Sequence, residues 1–209
     1  MNLVRMNDMK ILCVADEPSR MLYDFYQPGI LKEYDLIIAC GDLPREYLEF
    51  LVTMARCPLI YIAGNHDEAY VKNPPEGCIC IDDDLFVYKG IRFLGLGGSY
   101  KYRNDATYMY TETQMKLRIF KLWPKIIRNK GFDVLVSHAP MYEFGDKHIS
   151  HRGFQCFKGL IDKYQPKYMI HGHIHRNYGF KIPQVYQYEN TTVINAFEYY
   201  KLDYDNSKG

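Results

Sequence analysis

A chain of 209 residues with 47% hydrophobic content is long enough to bury a substantial core as one domain over 1–209, its folded part about 10–204. Its 26 basic and 25 acidic residues nearly cancel and are spread along the chain, so no basic stripe announces nucleic acid or an anionic surface. No apolar run approaches the roughly 18 residues of a membrane span, and Arg5, Asp8 and Lys10 break up what a secretory signal would need as an apolar stretch. A cytoplasmic protein with no membrane or nucleic-acid partner is expected; the oligomeric state is left open.

Residues 10–15 (KILCVA), 36–39 (LIIA), 59–63 (LIYIA) and 133–137 (DVLVS) are short and apolar, the pattern of strands covered on both faces. Between them, residues 19–34, 45–56 and 111–129 carry apolar side chains at three- and four-residue spacing, the last opened by the capping candidate Thr111. Strand, helix and strand in succession predict parallel pairing with right-handed crossovers. Residues 77–88, 91–96, 184–188, 191–196 and 199–204 read as strands separated by turn signals and predict antiparallel pairing. Residues 160–164 close a helix, and 168–170 form a short strand. The sum is an α/β fold: a four-layer αββα sandwich of two mixed β-sheets flanked by helices.

Of six cysteines, Cys13 and Cys40 lie within or at the end of apolar runs and read as buried thiols. Cys78 and Cys80 lack the second pair of a zinc knuckle. The glycine-rich segment 95–103 (GLGGSYKYR) has no P-loop ending and reads as a tight turn that brings Ser99, Tyr100 or Arg103 to a rim.

The chemistry collects at strand ends. Gly41-Asp42, Gly64-Asn65-His66-Asp67, Ser137-His138-Ala139 and Gly172-His173-Ile174-His175 each stand where an apolar run stops. Loops leaving the carboxyl ends of parallel strands converge on one crevice, so Asp16, Asp42, Asn65, His138, His173 and His175 are expected to face a common point. Singly, each has an ordinary reading as a turn, a cap or a loop residue; it is the ordered set that points to a site. Carboxylates, an amide oxygen and imidazoles suit one or two divalent ions such as manganese, iron or zinc. Asp42 is the natural bridge in a two-ion site.

These motifs resemble those of the calcineurin-like metallophosphoesterase superfamily across residues 10–200. The resemblance implies a phosphoric ester hydrolase with Asp16, Asp42 and His175 at the first ion and Asp42, Asn65, His138 and His173 at the second. It also implies His66 as the general acid, with Asp67 behind it to orient the ring. The chemistry then expected is direct attack on phosphorus by a hydroxide that the two ions would supply, with no covalent enzyme intermediate, and a histidine is suited to protonate the leaving alkoxide. Small phosphorylated substrates are expected, with diesters slightly favoured over monoesters.

One element departs from the pattern. The first strand ends Asp16-Glu17-Pro18 where the family has Asp-x-His, and proline has no donor atom for a metal. The first ion is then left with three protein ligands. Glu17 is expected to face away from Asp16, since neighbours on an extended segment point to opposite faces unless the turn is sharp. The rival reading is a non-catalytic interaction scaffold with a degraded metal site. In the long loop 139–152, Lys147, His148, His151 and Arg152 offer cationic groups for a phosphate; His151 and Arg152 rank first because they open the next helix.

Overall fold

The computed structural model describes residues 9–103, 106–144, 151–175 and 183–205. In chain order the elements are β1 (Met9–Val14), β2 (Leu36–Ala39), α1 (Arg45–Ala55), β3 (Leu59–Tyr61), β4 (Ile79–Cys80), β5 (Asp84–Tyr88), β6 (Ile91–Leu96), β7 (Ser99–Tyr100), β8 (Met109–Tyr110), α2 (Glu112–Arg128), β9 (Val134–Ser137), α3 (Gln155–Tyr164), β10 (Tyr168–His171), β11 (Val185–Tyr188), β12 (Thr191–Asn195) and β13 (Tyr200–Tyr204).

Two sheets carry the fold. The first runs β13-β1-β2-β3-β4 and the second β11-β12-β10-β9-β6-β5. Alternate side chains of each strand serve different layers. Ile11, Ile38 and Ile60 point inward to meet Phe93, Val136, Ile170 and Ile194 of the other sheet. Their neighbours Leu12, Val14 and Ile37 point outward to Leu22, Leu31 and the α1 residues Leu48 and Leu51. On the far side, Leu135, Met169 and Val193 pack against Met115 and Leu122 of α2 and Phe157 and Ile161 of α3. The result is the expected four-layer αββα sandwich.

Helix α2 begins on a reciprocal cap: the Gln114 N–H donates to Thr111 Oγ1 at 3.2 Å and the Thr111 N–H to Gln114 Oε1 at 2.8 Å. Residues 19–34 are a chain of turns rather than a helix. The Leu22 N–H donates to Ser19 O and the Phe25 N–H to Arg20 O, so no regular ladder develops, and Pro28 followed by Gly29 at φ +101° ends any attempt to continue it.

The late strands also differ from expectation. β6, β9, β10 and β12 pair in parallel, and only the edge strands β5 and β11 pair antiparallel within that sheet. The predicted strand 77–88 is two elements: β4 runs parallel to β3 in the first sheet, then Asp83 at φ +54° turns the chain into β5 of the second. All six cysteines are free thiols, with Cys13 and Cys40 buried. Among the described residues no helix is long and apolar enough to cross a membrane.

Candidate metal centre

Three strand ends bend back on themselves. Asp16, Asp42 and His173 follow β1, β2 and β10 with φ of +65°, +56° and +69°, a region that costs side-chain-bearing residues about 1–3 kcal/mol each. Burial of an aliphatic side chain contributes about 1.5–3 kcal/mol, so the apolar layer between the sheets outweighs the strain and holds it in place. The turns also lock to one another. The His173 N–H donates to both carboxylate oxygens of Asp16, at 2.8 and 3.0 Å, and the His66 N–H to Asp42 Oδ1 at 2.7 Å.

His138, fully buried at the end of β9, sets the centre. Its Nδ1 lies 2.8 Å from the Cys40 carbonyl, which assigns a ring proton to that nitrogen. Nε2 then faces Asn65 Oδ1 at 3.1 Å, Asp42 Oδ2 at 3.2 Å and His173 Nδ1 at 3.1 Å. Two oxygens and two ring nitrogens thus crowd together, more acceptors than the single proton on His138 Nε2 can serve, an arrangement that suits a cation in the proton's place. Asp42, His138 and His173 keep their ligand atoms within 4.8 Å of one another, and the mixed O and N donor set suits a borderline divalent ion. These residues fit a metal.

The first site is leaner. His175 Nε2 lies 3.9 Å from Asp16 Oδ1, and Pro18 contributes nothing. The turn at Asp16 is sharp: the Glu17 N–H returns to Ala15 O at 2.7 Å. The Glu17 carboxylate is nonetheless drawn to the histidine turn: its Oε1 stands 3.8 Å from His175 Nδ1, while Asp16 stands at Nε2.

The Asp67 carboxylate engages the backbone. Its Oδ2 accepts the backbone N–H groups of Asp42 at 2.8 Å and Gly64 at 2.7 Å, stapling the second and third strand-end turns together. The exposed His66 stands at the rim. The reason is backbone demand: two buried N–H groups need an acceptor, and Asp67 is the side chain in reach. Arg103 lies at the surface, 3.8 Å from Glu68. The His151 ring packs edge-on 5.4 Å from His173, and the Arg152 guanidinium sits 4.7 Å from the Tyr100 ring and 5.3 Å from Tyr142, its Nε buried without a hydrogen-bond partner. Lys147 and His148 lie outside the described residues.

Two supporting groups escaped the sequence reading. Buried Arg118 bonds Asp82 at 2.7 Å, Asp83 at 2.8 Å and Gly97 O at 2.7 Å, bracing the segment whose Gly98 N–H holds Ala63 O at 2.7 Å. Its signal was a charge on the apolar stripe of α2. Asn195, at the end of β12, donates to Ile174 O at 2.9 Å and so holds the histidine turn.

Glycine at 64 is a steric requirement. A Cβ there would collide with the Asp42 carboxylate and lie 2.6 Å from Asp42 N. Gly64→Ala is expected to displace Asp42, costing about 1–3 kcal/mol of stability and weakening ion uptake; denaturation and metal titration of the variant check both.

Electrostatics reinforce the demand for a cation. Burial raises Asp16 to about 7, helped by the neighbouring Asp42 charge, and likewise raises Asp67 to about 6. Burial also works against charge on Asp42, but His138 and the His66 N–H overcome it and hold that carboxyl well below its ordinary range. Burial opposes a charge on His138 too, yet Asp42 and Asp16 push it from 6.5 up to about 9. Burial lowers His175.

A raised histidine contributes stability that is complete below its unfolded value, near 6.5, and lost as pH rises through 9. At about 1.36 kcal/mol per pKa unit this is on the order of 3 kcal/mol. Raised Asp16 loses its contribution in the same direction, between 3.8 and 7, whereas depressed Asp42 acts only in acid. The chelated protein is expected to lose stability from pH 6.5 to 9 and the manganese-saturated protein to stay nearly level. Urea titrations across that range check it, and a chelated protein that gains stability contradicts it.

The sequence profile of calcineurin-like phosphoesterases matches residues 10–177. An uncharacterised protein of Methanocaldococcus jannaschii is 25% identical over 96% of this chain and 93% of its own length. A UPF0046 protein of Caenorhabditis elegans is 24% identical over 90% of this chain and 69% of its own. The fold is similar to that of the TT1561 protein of Thermus thermophilus, with a TM-score of 0.65, 16% identity and coverage of 94% and 95% of the two chains. The profile match runs from β1 through His175 and so spans every donor around His138 and Asp16; the chain belongs to the calcineurin-like phosphoesterase family.

Proposed function

We propose that the protein hydrolyses phosphoric esters, diesters in preference to monoesters, by metal-assisted attack of water. The observation that carries this is the convergence of Asn65 Oδ1, Asp42 Oδ2 and His173 Nδ1 on Nε2 of His138. In this reading Asp42, Asn65, His138 and His173 hold one divalent ion, and Asp16, Asp42 and His175 hold a second more weakly. Such ions, with manganese, iron and zinc as the candidates, supply Lewis acidity and a water acidic enough to react at neutral pH.

The chain's own residues do the rest. Asp42 spans both positions, its geometry fixed by the His66 N–H and by Asp67 through its backbone. His66, at the exposed rim, protonates the departing alkoxide. Arg152, gripped by two tyrosine rings and lacking a hydrogen-bond partner at Nε, meets a phosphoryl oxygen, with His151 alongside; Arg103 stays at the entrance. Six free thiols suit a cytoplasmic setting. The scaffold alternative rests on Pro18 alone, while the four-donor centre retains its full set.

The test is hydrolysis of matched aryl phosphate diester and monoester substrates by chelated protein, before and after manganese is restored. Turnover that returns with manganese and is faster on the diester is expected. No turnover with manganese, iron or zinc makes the scaffold reading the better one.

A further inference from the structure

Pro18 removes a ligand, but it also fixes its neighbour. A residue before proline is confined to the extended region, and the Glu17 N–H is already tied back to Ala15 O at 2.7 Å. Between these two constraints the Glu17 side chain is directed at His175. The neighbours of the imidazole include Asp16 Oδ1 at 3.9 Å from Nε2, Glu17 Oε1 at 3.8 Å from Nδ1, and the Phe197 ring, its centroid 5.0 Å away. Phe197 is itself held, by the bridge to Ala15 and by its N–H on Asn195 Oδ1 at 3.0 Å. The ring is thus backed on one face and has a carboxylate at each nitrogen.

We infer that Glu17 is a positioning residue for His175: its carboxylate closes onto Nδ1–H, fixes the tautomer and leaves the Nε2 lone pair on the Asp16 side for the ion. This rests on the metal reading above. A carboxylate at Nδ1 lies away from the side on which Nε2 and Asp16 converge, so Glu17 acts through the histidine and is not a ligand. A histidine so held is a better donor, because the partner raises its basicity and removes the freedom to turn away. Through this contact the chain compensates for the donor missing at position 18. The half-exposed Glu17, with 46% of its side chain accessible, needs only a rotamer adjustment to close the remaining gap.

The test is manganese titration against a competing chelator on wild type, Glu17→Ala and Glu17→Gln, with the tautomer of His175 read by long-range nitrogen-15 NMR of the zinc-loaded proteins. Glu17→Ala is expected to weaken the looser ion about 10–100-fold, leave the tighter ion unchanged and lose the single Nδ1–H tautomer. Glu17→Gln, whose amide oxygen still accepts Nδ1–H, is expected to stay within a few-fold of wild type with the tautomer kept. Unchanged binding in Glu17→Ala overturns the inference while leaving the metal centre intact. Loss of the looser ion in Glu17→Gln as complete as in Glu17→Ala also overturns it, since Glu17 is then itself a ligand. A wild type that takes up no ion removes the metal reading and this inference together.

Discussion

Asp42→Asn is expected to remove both ions and to lower manganese-dependent turnover by more than about 10³-fold. Asp42 touches His138, His66 and Asp67 at once. Its Oδ2 stands 3.2 Å from His138 Nε2, its Oδ1 accepts the His66 N–H at 2.7 Å, and its own N–H rests on Asp67 at 2.8 Å. Asparagine keeps the shape and one oxygen, so the turn should survive; what is lost is the charge that a bridging ligand supplies. The same loss frees His138 from the partner that most strongly favours its charge, and its proton should leave near neutral pH. Metal content after desalting, turnover and a circular dichroism spectrum separate a lost site from a lost fold. Asp42→Asn protein that retains both ions contradicts the bridging role.

His66→Ala gives the second large effect with the opposite signature: turnover falls about 10²–10⁴-fold, the range for a lost general acid, while metal content stays at the wild-type level. The separation follows from geometry. The His66 ring is exposed at the rim, and only its backbone N–H engages Asp42, a bond that alanine retains. Leaving-group chemistry sharpens the test. A nitrophenolate departs without help, whereas an alkyl alkoxide needs a proton, so the variant should lose far more activity on alkyl than on nitrophenyl diesters. Equal losses on both would assign His66 to binding rather than to proton transfer.

The parallel strands were legible because burial on both faces leaves continuous apolar runs such as 10–15 and 36–39, and the strand-end positions of Asp16, Asp42, His138 and His173 followed from them. The direction of pairing in the second sheet was not. An apolar strand reads the same whether its neighbour runs with or against it, and β12 lies parallel to β10 although it follows β11 by a hairpin turn. The spacing in 19–34 suggested a helix because apolar residues there do face the core at Leu22 and Leu31; a succession of turns satisfies the same burial around Pro28 and Gly29.

Of the candidate site, the sequence read which groups meet but not what holds them. The resemblance assigns Asp67 to the ring of its neighbour, yet its carboxylate serves two backbone N–H groups, one of them 25 residues away. Backbone acceptor demand of that kind is set by tertiary packing, which no local pattern carries. The same holds for Arg118, which braces residues 35 and 36 positions back in the chain, and for Glu17, whose orientation depends on the left-handed turn at Asp16.

The central claim is that the acceptors gathered around His138 Nε2 exist to hold a divalent cation. Anomalous diffraction at the manganese edge from crystals grown with manganese tests it most directly. A strong peak is expected among Asp42, Asn65, His138 and His173, with a weaker one between Asp16 and His175. Crystals grown at saturating manganese that show no peak beside His138 would contradict it, and with it the reading of this centre as a phosphoesterase site.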